Sequence, residues 1–158
     1  MYLKLPVTCT LVSIVLLLGG SVSGIAQEQL VTHLDGLEWG PPGGGNGFPV
    51  GVQTYRLGID QDTGGITYFA RFPAGSNFAL HWHTHDEFVS VVEGEVIITL
   101  GDELHPLKPG SYVVIPGSLP HAWDVPDSAD VVILVRRAGP ADFHFIGAES
   151  PQSGAVDE

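Results

Sequence analysis

The sequence predicts an all-β domain, an antiparallel sandwich or barrel, and three observations carry that expectation. Between Gly51 and Arg137, short runs rich in Val, Ile, Thr, Tyr and Phe alternate with Gly, Pro, Asn and Asp, the pattern of strands joined by turns. After Ala26 no stretch repeats apolar residues with a helical period. The length of 158 residues suits one domain with a real core and is too short for two.

Residues 1–26 stand apart from that domain. Met1-Tyr2-Leu3-Lys4 is a short positive start, Leu11 to Leu18 a nearly continuous apolar run, and Gly24-Ile25-Ala26 the small residues a signal peptidase reads. The pattern is that of a cleaved secretory signal ending after Ala26. An uncleaved anchor is the competing reading, but the run is shorter than the ~20 apolar residues of a span. No twin-arginine pair is present, so general secretion to a periplasmic or extracellular location is expected.

Residues 27–48 form an N-terminal arm and a loop. Gly40-Pro41-Pro42-Gly43-Gly44-Gly45-Asn46-Gly47 is too dense in Gly and Pro for a helix or a ladder. The barrel is expected over 49–146. Gly51 to Leu57 and Ile66 to Phe72 read as strands joined by a hairpin connection at 60–65, and Pro73-Ala74-Gly75 ends the second. Phe78 to His83, Glu87 to Val92 and Glu95 to Leu100 follow, the last two joined by the Glu93-Gly94 turn. Asp102 to Leu107 reads as a short connection with an edge strand. Ser111 to Ile115, His121 to Asp124 and the strongly apolar Val131 to Arg137 complete the set. Residues 147–158 are small, polar and acidic, as in a flexible tail.

Charge and cysteine narrow the function. The chain carries a formal charge of −12; losing Lys4 with the signal leaves five basic residues against eighteen acidic ones. No basic patch is present to neutralise phosphates, which argues against nucleic acid and an anionic membrane surface as partners. The only cysteine, Cys9, lies in the signal, so the mature domain is held by its core and any metal rather than by disulfides.

The chemistry concentrates in Gly75-x5-His81-x-His83-x3-Glu87-x6-Gly94, followed further on by His121. Alternate strand residues share a face, so His81 and His83 point the same way, and strict alternation adds Ala79 to that face. Three imidazoles and a carboxylate suit one divalent transition metal ion, iron, manganese, nickel, copper or zinc, rather than calcium or magnesium. His121 comes from another hairpin, and a closed barrel brings it in. His85 reads as a rim residue or a further donor. Asp86 reads as a turn carboxylate or a group orienting a ligand. Trp82 is expected between the sheets or at a subunit contact, Trp123 beside the pocket, and His33, His105 and His144 at the surface.

The motif from Gly75 to Gly94 resembles the first motif of the cupin superfamily, and Gly110-x5-Pro116 through His121 resembles the second. The second departs at Ser118, where the pattern has glycine, and at Val125, where it has asparagine. The resemblance implies an antiparallel double-stranded β-helix, a jelly-roll barrel, with His81, His83, Glu87 and His121 as metal ligands. Four protein ligands on an octahedral ion leave two positions for a small molecule. By analogy with the family this implies a secreted, dioxygenase-like, metal-dependent oxidoreductase acting on a small oxygen-rich or carbonyl compound, with Glu87 also a proton acceptor. The alternative is a non-catalytic metal-containing module that binds a small ligand. A homodimer is expected, because the outward faces of so small a barrel need cover.

Overall fold

The computed structural model describes residues 30–147. The expected signal at 1–26, with Cys9, and the tail from 148 onward lie outside the described residues. Eleven strands follow in order: β1 Gly43–Gly45, β2 Phe48–Ile59, β3 Ile66–Phe72, β4 Asn77–Trp82, β5 Glu87–Glu93 and β6 Val96–Leu100, then β7 Glu103–Leu107, β8 Tyr112–Ile115, β9 His121–Asp124, β10 Val131–Arg137 and β11 His144–Phe145. The one helical element among the described residues is a 3-10 turn at Leu34–Gly36.

The strands form two antiparallel sheets, ordered β1-β2-β3-β10-β5-β8 and β11-β4-β9-β6-β7. From β3 onward the chain passes back and forth between them: β4 lies in the second sheet, β5 in the first, β6 and β7 in the second, β8 in the first. Crossing continues through β9, β10 and β11. This is the jelly roll that the spacing of the strands and the motifs predicted. Its interior is filled by alternate residues of facing strands: Val89 and Val91 of β5, Ile98 of β6, and Val131, Ile133 and Val135 of β10 are all buried. Full burial of each such side chain stabilises the fold by roughly 1.5–3 kcal/mol.

Two local features differ from the sequence expectation. The Gly-rich stretch does carry a ladder: Gly43 pairs with Val52 and Gly45 with Phe48. Its turn is Asn46-Gly47, with φ of 53° and 96°, the conformation that Asn-Gly hairpins favour. A Cβ on Gly44 would lie 2.0 Å from the Pro49 carbonyl oxygen, so the strands approach this closely only because side chains are missing. Composition argued against a ladder; the absence of Cβ atoms is what makes this one possible.

The second difference lies in β4. Its pairing with β9 shifts between Phe78 and His81, the signature of a bulge, which places one extra residue in one strand. Alternation is therefore broken, and Phe78 rather than Ala79 shares the inner face with His81; both are buried. The amide of Ala79 turns outward to the Gly47 carbonyl of the glycine hairpin, at 2.9 Å. The turn at Ser118 keeps the backbone for which the family pattern has glycine, since Ser118 adopts φ 66° and donates its amide to the His83 carbonyl at 2.7 Å.

Candidate metal centre

His81 and His121 are register partners across the β4–β9 ladder. His83 follows just beyond the end of β4, and Glu87 opens β5 in the opposite sheet. The barrel thus brings the four residues singled out by spacing to one end of its interior. All four are buried, His81 and His121 completely. The ring centroids of His81 and His121 are 4.2 Å apart, and those of His83 lie 4.8 and 4.9 Å from them.

The hydrogen bonds assign the tautomers. Each Nδ1 donates to a backbone carbonyl: His81 to Ala79 at 2.6 Å, His121 to Leu119 at 3.0 Å, and His83 to Asp142 at 2.5 Å. With the proton on Nδ1, each Nε2 is left as a lone-pair donor, the arrangement typical of metal-binding histidine. All three Nε2 atoms are buried and have no hydrogen-bond partner. Ligand atoms of His81, His83 and His121 lie within 4.8 Å of one another.

Glu87 sharpens the argument. Its Oε2 sits 3.1 Å from His83 Nε2 and 3.6 Å from His121 Nε2, so with the rings neutral acceptors face acceptors in a dry site unless a proton or a cation lies between them. Buried polar atoms left unsatisfied cost about 1–3 kcal/mol each, and a bound cation removes that cost for all of them. Three neutral imidazoles beside one carboxylate fit a divalent transition ion in donor type and number. The other carboxylate oxygen, Oε1, is 3.4 Å from the guanidinium of Arg137, so Glu87 is shared between the cluster and a buried cation.

Electrostatics supports the same assignment. Burial, reinforced by neighbouring His121, lowers the pKa of His81 from 6.5 to about 3, leaving its imidazole neutral in the folded protein. For Glu87, burial pushes the pKa upward, but contacts with His121 and His83 and the charge of Arg137 more than offset it, and the net shift is downward. Glu87 is therefore a buried carboxylate rather than a carboxylic acid.

Several contributors to the site went unnoticed in the sequence. Arg137 is 2 % exposed, pairs with Glu87 in register as well as by charge, and lies 4.9 Å from the Phe143 ring. The arginine pair Arg136-Arg137 ending the most apolar strand was the available signal. Tyr68 lies near the same pair: burial, followed by the charge of Glu87, raises its phenol to about 12. Phe143 packs on His83 at 4.9 Å and on His81 at 5.7 Å. Asp142 supplies the His83 acceptor, and its side chain accepts the Thr84 amide at 3.0 Å and contacts His144 Nε2 at 3.1 Å.

The remaining candidates fall elsewhere. His85 is exposed and outside the cluster, its ring close enough to Gly139 that a Cβ there would meet it at 2.5 Å. Asp86 ties a turn, accepting the Gly117 amide at 2.8 Å. Trp82 stacks on the exposed His144 ring at 3.9 Å, on the outer side of β4. Trp123 is buried in the core rather than beside the cavity. His33 is exposed and His105 half-buried.

A cavity of about 520 Å³ adjoins the cluster. Phe78 and Phe143 belong to both: each lines the cavity, and the Phe78 ring stacks on His81 with centroids 4.1 Å apart.

Comparison with known proteins places this architecture. A family model described as a cupin domain matches residues 68–136, which contain the whole histidine and carboxylate set. No curated protein sequence matches the chain. Among solved structures, a cupin-like protein of Thermotoga maritima is similar with a TM-score of 0.64 at 20% identity, over 74% of this chain and 92% of that one. A cupin-2 domain protein of Rhodospirillum rubrum has a TM-score of 0.61 at 17% identity, over 75% and 81%. A DMSP lyase of Ruegeria pomeroyi has a TM-score of 0.54 at 24% identity, over 63% and 53%. At these identities the structural likeness speaks for the fold. With the family match and the motif from Gly75 to Gly94, it identifies residues 68–136 as a cupin domain.

Proposed function

We propose that this chain is an extracytoplasmic metal-dependent enzyme, dioxygenase-like, whose centre is held by His81, His83 and His121 with Glu87 beside them. The observation that carries the reading is the convergence of three buried Nε2 atoms that have no hydrogen-bond partner. When bound, a divalent transition metal supplies Lewis-acid polarisation and access to redox chemistry. The protein's residues do the rest. The backbone carbonyls of Ala79, Leu119 and Asp142 hold the imidazoles in one tautomer. Contacts with His121 and His83, together with the charge of Arg137, keep Glu87 ionised, so the carboxylate is ready either to coordinate or to take a proton. Phe78 and Phe143 keep the environment dry, which strengthens every charge interaction there. The substrate is a small carbonyl or oxygenated compound held in the adjoining cavity, and the working protein is a homodimer.

One observation favours a second reading, a metal-containing module that binds a ligand without turnover. The nitrogen atoms facing the centre are closed to solvent, and aromatic rings stand between them and the cavity. Elemental analysis of protein from its native source, followed by oxygen-uptake screening against carbonyl and catechol compounds, separates the two. Uptake that depends on iron or manganese supports the enzyme. Stoichiometric metal with ligand-induced stabilisation and no turnover supports the module, and protein without bound metal overturns both.

A further inference from the structure

The cavity beside the histidines has a composition that specifies its ligand more narrowly than the metal does. Val52, Thr54 and Arg56 of β2, and Tyr68, Ala70 and Phe72 of β3, line it; these are the alternate residues of each strand and so share one face. The register pairs Arg56 with Tyr68 and Thr54 with Ala70. One end of the wall is thus polar. Further along, the wall is apolar, closed by Phe72, Phe48 and Phe78.

Charge separates the possible ligands. The chain holds eighteen acidic residues and six basic ones, yet no Asp or Glu is among the residues lining this cavity, whereas Arg56 is. Arg56 is exposed and forms no ion pair among the described residues, unlike Arg137, which is committed to Glu87. A cavity with one uncommitted cation and no anion selects a single negative charge. A polyhydroxylated ligand is disfavoured, because each hydroxyl pressed against Phe, Val and Ala loses water without gaining a partner. The volume of about 520 Å³ lies within the ~300–1,000 Å³ of ordinary small-molecule sites.

We propose that this cavity binds a small amphipathic monoanion: an aromatic or branched aliphatic body along Val52, Ala70 and Phe72, with one carboxylate at Arg56 and Tyr68. Tyr68 pairs with Val135, two residues before Arg137 on β10, so the anionic end lies toward the Glu87–Arg137 pair, while Phe78, stacked on His81, brings the apolar end to the histidines. This deepens the proposed function by choosing an apolar carbonyl acid over an oxygen-rich sugar-like substrate, and its catalytic meaning rests on that reading. The binding itself does not.

Isothermal titration with three probes tests it: phenylacetate, its neutral isostere phenylacetamide, and gluconate, an oxygen-rich monoanion. Phenylacetate is expected to bind at least about tenfold more tightly than either of the others. Arg56→Gln, at an exposed position that leaves the fold intact, is expected to weaken phenylacetate roughly tenfold and leave phenylacetamide unchanged. Thr54→Trp, filling the cavity from its exposed edge, is expected to abolish both. Gluconate binding as tightly as phenylacetate, an Arg56→Gln variant that binds normally, or no saturable phenylacetate binding in the millimolar range overturns the inference. Metal content measured on the same samples keeps the two claims apart. Binding without metal removes the metal centre and leaves the ligand class standing, and metal without binding does the reverse.

Discussion

His81 and His121 face each other across one ladder, and each finds its Nδ1 acceptor two residues back along the chain, at Ala79 and Leu119. His83 is built differently. It lies beyond β4, and its acceptor, the carbonyl of Asp142, is fifty-nine residues away on the segment leading into β11. The first two histidines are therefore oriented by local backbone geometry. The third is oriented only when the C-terminal segment docks, through Asp142 on the Thr84 amide and Phe143 against the rings. A centre built this way would couple a bound metal to the closure of the barrel.

The largest predicted effect tests the residue that touches both halves. Glu87→Gln leaves Arg137 buried without its counter-charge, and breaking such a pair costs about 3–5 kcal/mol. Urea denaturation of the metal-free variant reads this directly. A loss below about 1 kcal/mol would mean that the Arg137 contact is incidental and that Glu87 serves the metal alone.

Breaking the ladder pair comes next. His81→Ala and His121→Ala should each lower metal content and melting temperature together. With free metal at a hundred times Kd, the linkage alone is worth about 2.7 kcal/mol. Unchanged metal by elemental analysis in both variants would remove the centre. A smaller loss is expected from Asp142→Ala, which keeps the carbonyl but releases the contacts to Thr84 and His144. Metal affinity should fall by about 10–100-fold, as for other groups that orient a ligand. An affinity equal to wild type in a competition titration would show that His83 is held as locally as its two neighbours.

Acid provides the mildest test. The pKa of His81 is lowered from 6.5 to about 3 by burial and by His121, so the folded form refuses a proton that the unfolded chain accepts. Its contribution is complete above 6.5 and declines as pH falls toward 3, at about 1.4 kcal/mol per pH unit. Glu87 acts with the same sign at lower pH: its lowered pKa stabilises above the ordinary value of 4.5 and is lost below it. Denaturation midpoints of metal-free protein, followed downward from neutral pH, should therefore drop. A flat profile through the histidine range would mean that His81 is not buried as a neutral ring.

The strands were legible because burial of one face imposes a period of two that composition records. The spacing of His81, His83, Glu87 and His121 was legible because it follows motif positions. What failed was the inference from alternation to Ala79, since a bulge is a pairing event between strands and leaves no mark in one of them. The glycine hairpin failed for a related reason: composition reports what glycine disfavours, and only contact with Pro49 shows what it permits. Arg137, Tyr68, Asp142 and Phe143 were unreadable because each acquires its role from a partner distant in the chain.

By itself, then, the amino-acid order determined an antiparallel barrel and the candidate residues it would bring together, through periodicity, turn residues and the spacing of imidazole and carboxylate. Tertiary structure alone decided the tautomer of His83, the charge state of Glu87 and the acid-free wall of the cavity. Those properties depend on distance and desolvation between segments, which exist only once the two sheets have closed on each other.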